Sequence, residues 1–257
     1  MNNVKISAVI ITLNEEKKIQ KCINSVKDVV DEIVIIDSFS SDNTEAICKN
    51  NEVRFFQRQW DGYGKQKNWG NQQATYDYIF SLDADECVSD GLKNAVIAIK
   101  SNWQYDVYSF NRLNYFHGQR LNGIYPDRQS RLFDKRKTQW NENKVHEKLI
   151  TGRRIKSKHI NEDILHFSKE NIHEQIDSYN IYSTLSSQGG YDLRRKPSIS
   201  KLIFSPTFTF IKSYFFKLGF LNGVFGLIFS SNLAYYKFLK YAKLFELYKE
   251  HKNKTTN

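Results

Sequence analysis

At 257 residues, the chain is long enough for one sizeable α/β core with an appended region and short for two full domains. Aromatic residues make up 14% of it, with only 12 Gly and 3 Pro, which excludes collagen-like, low-complexity and wholly disordered chains. A formal net charge of +10 points to anionic partners, whether nucleic acid, anionic lipid or phosphorylated small molecules, and charge alone does not choose among them.

The first apolar run, residues 6–13, has no basic lead-in and no small-residue cleavage site, and it passes directly into Asn14-Glu15-Glu16-Lys17-Lys18. It is therefore expected to be a buried strand rather than a signal peptide. A strand over residues 4–12, an amphipathic helix over 15–27 and a β-branched strand over 32–37 make a βαβ unit. Ser40-Ser41-Asp42 offers caps for a helix reaching residue 50, followed by a strand over 53–56, a helix over 64–74 and a strand over 78–82. Continuous apolar strands separated by helices predict a mostly parallel sheet covered on both faces. Ligands of such sheets collect at the carboxyl ends of the strands. Three polar clusters lie there: Thr12-Leu13-Asn14-Glu15, Asp37-Ser38 and Asp83-Ala84-Asp85-Glu86.

Beyond residue 101 the pattern loosens, with strands expected over 107–116 and 130–133, then Lys144-Val145-His146-Glu147. From about residue 199 the chain turns to Phe, Leu, Ile and Tyr interleaved with Lys, and a boundary near Tyr191 divides a catalytic domain, 1–190, from an extension, 191–257. Cys22, Cys48 and Cys87 are odd in number and form no CxxC pair, so neither a disulfide framework nor a zinc site is indicated and a reducing cytoplasm fits.

Asp83-Ala84-Asp85 is the strongest local signal, because carboxylates two residues apart in extended chain project to one side and can share a cation. Magnesium and manganese favour such hard oxygen ligands and need few of them when substrate phosphates fill other positions. A solvated acidic turn would look the same, and Asn14, Glu15 and Asp37 taken singly read as turn or helix caps.

Taken in register, these residues resemble the family 2 glycosyltransferases of GT-A fold, and within them the lipopolysaccharide core β-glucosyltransferases. The resemblance rests on residues 9–16, on residues 31–44 with Asp37-Ser38-Phe39-Ser40-Ser41-Asp42, on Gly64-Lys65-Gln66-Lys67-Asn68, and on residues 81–86. It implies an α/β, Rossmann-like fold with a helical, membrane-associating C-terminal extension. It also implies an inverting transfer of a hexose, by default glucose, from a nucleotide-sugar such as a UDP-sugar, with Mg2+ or Mn2+ as cofactor. Thr12, Asn14, Glu15, Asp37 and Asn68 would line the donor pocket, Lys67 would approach the diphosphate, Asp83 would sit near the ribose or metal, and Asp85 would be the principal metal ligand. The family's Val-His-Glu element falls on Val145-His146-Glu147, giving Glu147 as general base and His146 as a metal ligand or acceptor contact. Asp127 is the rival base, and Arg131 a candidate for holding an acidic acceptor. Phe39 departs from the pattern, since small residues such as Gly are usual at that position of the turn.

Residues 218–236 carry no charge but include Gly219, Asn222, Gly223 and Gly226, poor material for a single spanning helix. Between Leu193 and Phe245 nine Lys or Arg residues occur without one Asp or Glu, matching a basic aromatic surface for an anionic membrane. The expected partners are thus a nucleotide-sugar donor, a lipid-linked or glycan acceptor and the inner face of the cell membrane, with no nucleic acid. The competing readings are a nucleic-acid-binding protein, which leaves the carboxylate rim unexplained, and a nucleotidyltransferase on a similar core.

Overall fold

The structure is a computed structural model and describes residues 3–121, 125–142, 147–169 and 171–254. The chain forms two compact units, Met1–Asn114 with Pro126–Ser168, and Tyr115–Tyr125 with Lys169–Asn257.

The first unit begins with β1 (Ile6–Thr12), α1 (Ile19–Val26), β2 (Glu32–Asp37), α2 (Thr44–Lys49), β3 (Arg54–Gln57), α3 (Tyr63–Gln73) and β4 (Tyr78–Asp83). β1 pairs in parallel with β2 and β4, and β2 with β3, as the strand-helix alternation predicts. All seven residues of β1 are buried because helices cover both faces of the sheet. Ala8, Ile10, Ile33, Ile35, Phe80 and Leu82 pack on one side with Ile19, Cys22, Ile23 and Val26 of α1. Val9, Ile11, Val34, Ile36 and Ile79 pack on the other with Trp69 of α3. The two-residue strand period and the i, i+3, i+4, i+7 helical stripe produce this division directly.

The second half of the sheet is antiparallel. β5 (Glu86–Val88), α4 (Asp90–Ser101), β6 (Val107–Phe116), β7 (Gln119–Arg120), β8 (Asp127–Asp134) and β9 (Ser157–Lys169) complete a sheet ordered β3-β2-β1-β4-β8-β6-β9-β5, with β7 paired to β6. β8 runs antiparallel to β4 and β6, and β5 antiparallel to β9. This arrangement is the α/β GT-A class expected from the sequence. The three cysteines are buried and unpaired.

The second unit holds α5 (Ile172–Asp192), α6 (Ile199–Ile211), a π turn (Lys212–Phe216), a 3-10 turn (Gly219–Asn222) and α7 (Gly223–Lys254). Asn171 caps α5 by accepting from Glu174 N at 2.8 Å. Lys243 of α7 fastens the two long helices, donating to Asn180 O and Oδ1, Ser183 Oγ and Thr184 Oγ1 at 2.6–2.9 Å. The chain breaks helix between Lys217 and Gly223, where Leu218 and Gly223 have φ of 55° and 58°. That is the glycine- and asparagine-bearing stretch that reads as unfit for one continuous span.

Candidate active site

Parallel register sets three strand ends level, pairing Thr12 with Asp37 and Ile11 with Asp83. The loops leaving β1 and β2 therefore emerge side by side, and their polar side chains stitch them together. Asn14 N donates to Ser40 Oγ at 2.8 Å, while Asn14 Oδ1 accepts from Ser41 N at 2.8 Å. Glu15 N donates to Thr44 Oγ1 at 2.9 Å, and Glu16 N to Asp42 Oδ2 at 3.1 Å. Asp37 is fully buried and accepts from Ser40 N at 2.9 Å and Gln57 Nε2 at 3.2 Å. Both loops pass through left-handed backbone, at Asn14 (φ 54°) and Phe39 (φ 62°). Asparagine visits that region readily and phenylalanine does not. Thr12 Oγ1 is buried and, among the described residues, has no hydrogen-bond partner, so the rim retains an unused polar group.

α3 enters the site under tight steric control. A Cβ on Gly64 would lie 1.8 Å from the carbonyl oxygen of Asn141, so only glycine admits this approach of helix to loop. Asn68 locks the same loop, donating to Trp140 O and accepting from Trp140 N, both at 2.9 Å. Lys67 is then 1% exposed. Its ammonium lies over the Trp140 ring, 4.8 Å from the centroid, and meets Glu147 Oε1 at 2.6 Å and Asp83 Oδ1 at 3.0 Å.

These contacts start a chain of alternating charge. Asp83 Oδ2 accepts from Arg131 at 2.9 Å, and Arg131 also meets Glu86 at 2.6 Å. Glu86 lies 3.6 Å from Arg112, which binds Asp127 at 2.7 Å. Glu147, Asp83, Glu86 and Asp127 thus alternate with Lys67, Arg131 and Arg112. Burial pushes the Asp83 carboxyl up, but the charges of Lys67 and Arg131 outweigh it and hold it well below the usual carboxylate range. Burial likewise disfavours the charged Arg131, and Glu86 and Asp83 reverse this, raising its pKa. An interior charge of either sign is tolerable because a partner sits beside it.

Asp85 stands apart from this chain. Its Oδ2 is 3.3 Å from His166 Nε2, and His166 Nδ1 is 2.6 Å from Asn114 Oδ1. Burial raises the Asp85 pKa while His166 lowers it, and the net direction is downward. Among the described residues no three His, Cys, Asp or Glu side chains converge on one point. A carboxylate oxygen beside an imidazole nitrogen nonetheless fits a divalent ion that takes its other ligands from phosphates and water.

The sequence model of glycosyl transferase family 2 matches residues 7–165. The chain belongs to glycosyl transferase family 2. Among relatives, the lipopolysaccharide core biosynthesis glycosyltransferase LpsC of Rhizobium meliloti (strain 1021) is 31% identical over 250 residues, covering 94% of this chain and 92% of LpsC. An uncharacterized glycosyltransferase of Rickettsia felis is 29% identical over 261 residues, covering 97% of this chain and 92% of the relative. A crystal structure of S. aureus TarS 1-349 in complex with UDP has 13% identity and a TM-score of 0.46, covering 90% of each chain. The chain is accordingly a nucleotide-sugar glycosyltransferase of this family.

The site brings Lys67, Asp83, Arg131 and Glu147 together in the charge chain, puts Asp127 at its far end, and leaves Thr12, Asn14, Glu15 and Asp37 at the neighbouring ends of β1 and β2. Asn68 faces the Trp140 backbone. His146 lies outside the described residues. Sequence reasoning missed the pairing of His166 with Asp85, which arises from the antiparallel register of Glu86 with His166. It also missed Glu86 and Arg112 as the links between Arg131 and Asp127.

Proposed function

We propose that this family 2 enzyme is an inverting, metal-dependent hexosyltransferase that moves glucose from UDP-glucose to a membrane-held glycolipid of the lipopolysaccharide-core class. The acceptor class draws on the name of LpsC, similar over nearly its whole length. The observation that carries the chemistry is the level alignment of Thr12, Asp37 and Asp83 at three parallel strand ends, with Asp85 and His166 alongside.

In this reading Thr12, Asn14, Glu15 and Asp37 line the base and ribose, with Asn68 holding the loop that bears Trp140. Glu147 takes the proton from the acceptor hydroxyl as its oxygen attacks the anomeric carbon opposite the leaving diphosphate. The bond from that carbon to the diphosphate oxygen breaks, and the configuration inverts. Asp127 is the alternative base, and the two candidates terminate opposite ends of one ion-pair chain. Arg131, held by Asp83 and Glu86, keeps the Asp83 carboxylate ionised and fixed; an acidic acceptor group would have to approach it through that pair. Magnesium or manganese, held by Asp85 and His166 with Asp83 alongside and His146 as a further candidate, would offset the negative charge on the departing nucleoside diphosphate.

Release of UDP from UDP-glucose, followed with a lipid-linked sugar acceptor, tests this. D85A or excess chelator is expected to lower turnover by about 100-fold or more, as when a stabiliser of transition-state charge is removed. E147Q should lose transfer while still binding donor. Undiminished turnover in D85A or with chelator overturns the metal assignment, retained transfer in E147Q moves the base to Asp127, and release of pyrophosphate overturns sugar transfer itself.

A further inference from the structure

From α6 to the start of α7 the second unit is built inside out. α6 has no buried residue, and Ile203, Phe204 and Phe208 are 56%, 68% and 62% exposed. The turns that follow add exposed Phe215, Phe216 and Leu221, and α7 opens with exposed Val224. The contacts between these segments are small and polar instead. Ser213 and Ser230 are buried and joined at 3.0 Å. A Cβ on Gly226 would lie 1.9 Å from Gly219 O, and one on Gly219 would lie 2.7 Å from Ser213 O.

A chain folding against water buries Phe and exposes Ser. Helices folding against hydrocarbon do the reverse, approaching through small residues and bonding through hydroxyls, because the acyl chains solvate the large apolar groups. The seam between the turns and the start of α7 therefore matches lipid as the medium around this part of the unit. Charge points to the same medium, since Leu193 to Phe245 carries nine Lys or Arg and no acid. A second copy of the chain seated here would bring Lys201, Lys212 and Lys217 of both copies together with no carboxylate on this stretch to pair them.

We propose that this surface inserts into one leaflet of an anionic membrane, with Phe204, Phe208, Phe215, Phe216, Leu221 and Val224 entering the acyl layer and Lys201, Lys212 and Lys217 reaching the headgroup phosphates. The lysine stems can lie along the apolar surface while their ammonium groups stay at the interface. Insertion is peripheral rather than spanning. Among the described residues no single helix is long and apolar enough to cross a membrane, and the one bent pair that passes by length and composition turns by 71° at its break. α6 with the π turn, Ile199–Phe216, extends at most about 27 Å at roughly 1.5 Å per residue before the bend, short of a hydrocarbon core about 30 Å thick. The insertion face rests on nothing in the transfer chemistry, so either can fail alone.

The full chain is floated with vesicles of phosphatidylcholine alone and of phosphatidylcholine with phosphatidylglycerol. Native Cys22, Cys48 and Cys87 are buried, so F216C gives a selective attachment point for a polarity-sensitive fluorophore. The wild type should float with the anionic vesicles, and the label should shift to the blue and be quenched by brominated acyl chains. F204S/F216S should lower the bound fraction by about tenfold, the scale of two lost phenyl insertions at an interface, with donor binding unchanged. Failure of the wild type to float, flotation of the double variant equal to wild type, or a label still in water on bound protein overturns the proposal. A lipid-free dimer that F204S/F216S dissociates overturns it too, and assigns the face to a second copy.

Discussion

The strand-end site and the C-terminal helices handle buried polar groups in opposite ways. At the site, Lys67, Arg131 and Glu86 are buried, and each charge is answered by an opposite one, from Glu147 through Lys67, Asp83, Arg131, Glu86 and Arg112 to Asp127. Around α6 and the start of α7 the buried polar groups are neutral and small, Ser213, Ser230 and the glycines between them, while the large apolar groups lie outside. The first arrangement fixes carboxylates in one geometry around a reaction. The second permits close approach of backbones and leaves the large apolar groups on the outer surface. The contrast teaches that burial of polarity has no single meaning: charge alternation accompanies the proposed transfer site, whereas neutral small contacts accompany the face proposed to meet lipid.

The largest effect should come from breaking the charge alternation at its most buried cation. K67M removes the cationic partner of Glu147 and one of the two cations beside Asp83, at a position 1% exposed. Removing one member of a buried pair destabilises by about 3–5 kcal/mol because the remaining charge is left uncompensated. A large drop in the urea midpoint is expected. A midpoint within error of wild type would mean that Asp83 and Glu147 find other partners, and the rim would then be a solvated surface.

The corresponding break in the helical unit is steric. G226A puts a methyl group where Gly219 O lies 1.9 Å away, and separating the segments should destabilise the unit by about 1–3 kcal/mol, as overpacking does. Amide hydrogen exchange along α7 should accelerate near residue 226 while β1 and β4 keep their protection. Uniform exchange across both units would erase the contrast between a charge-held site and a contact-held seam.

Most of the parallel half of the fold was legible in the sequence because its signals are local. Apolar runs of strand length, a helical stripe between them and polar residues at each strand end fix β1 to β4 and α1 to α3 to within a few residues. The antiparallel half was less legible. β9 mixes His, Asn, Glu and Asp with Ile and Leu, so no clean alternation marks it, and its placement of His166 beside Asp85 depends on pairing across 80 positions of chain. Arg131 reads in the sequence as a candidate for holding an acidic acceptor, and its burial between Asp83 and Glu86 is not marked by any local motif. Its neighbours Leu132 and Phe133 are both fully buried, and two successive apolar residues in a strand were the available sign that neither face meets water. Glu86 and Arg112 could not be joined to it from sequence, because strands β5, β6 and β8 meet only through long-range register.

The smallest effect, and the finest test of the site, concerns the one position that departs from the family's turn. Phe39 holds φ at 62° and is 53% exposed, so its side chain contributes little burial while its backbone is strained. Left-handed backbone costs a non-glycine residue about 1–2 kcal/mol, and glycine relieves this while adding roughly 0.5–1 kcal/mol of unfolded-state freedom. F39G should therefore raise the urea midpoint slightly or leave it unchanged. The donor KM separates two reasons for tolerating the strain. With Phe39 merely occupying the turn, KM stays at the wild-type value, because the bonds from Asp37 to Ser40 and from Asn14 to Ser41 persist. A KM that rises in a variant of undiminished stability assigns the phenyl ring to the donor, and the strain becomes the means by which it is presented.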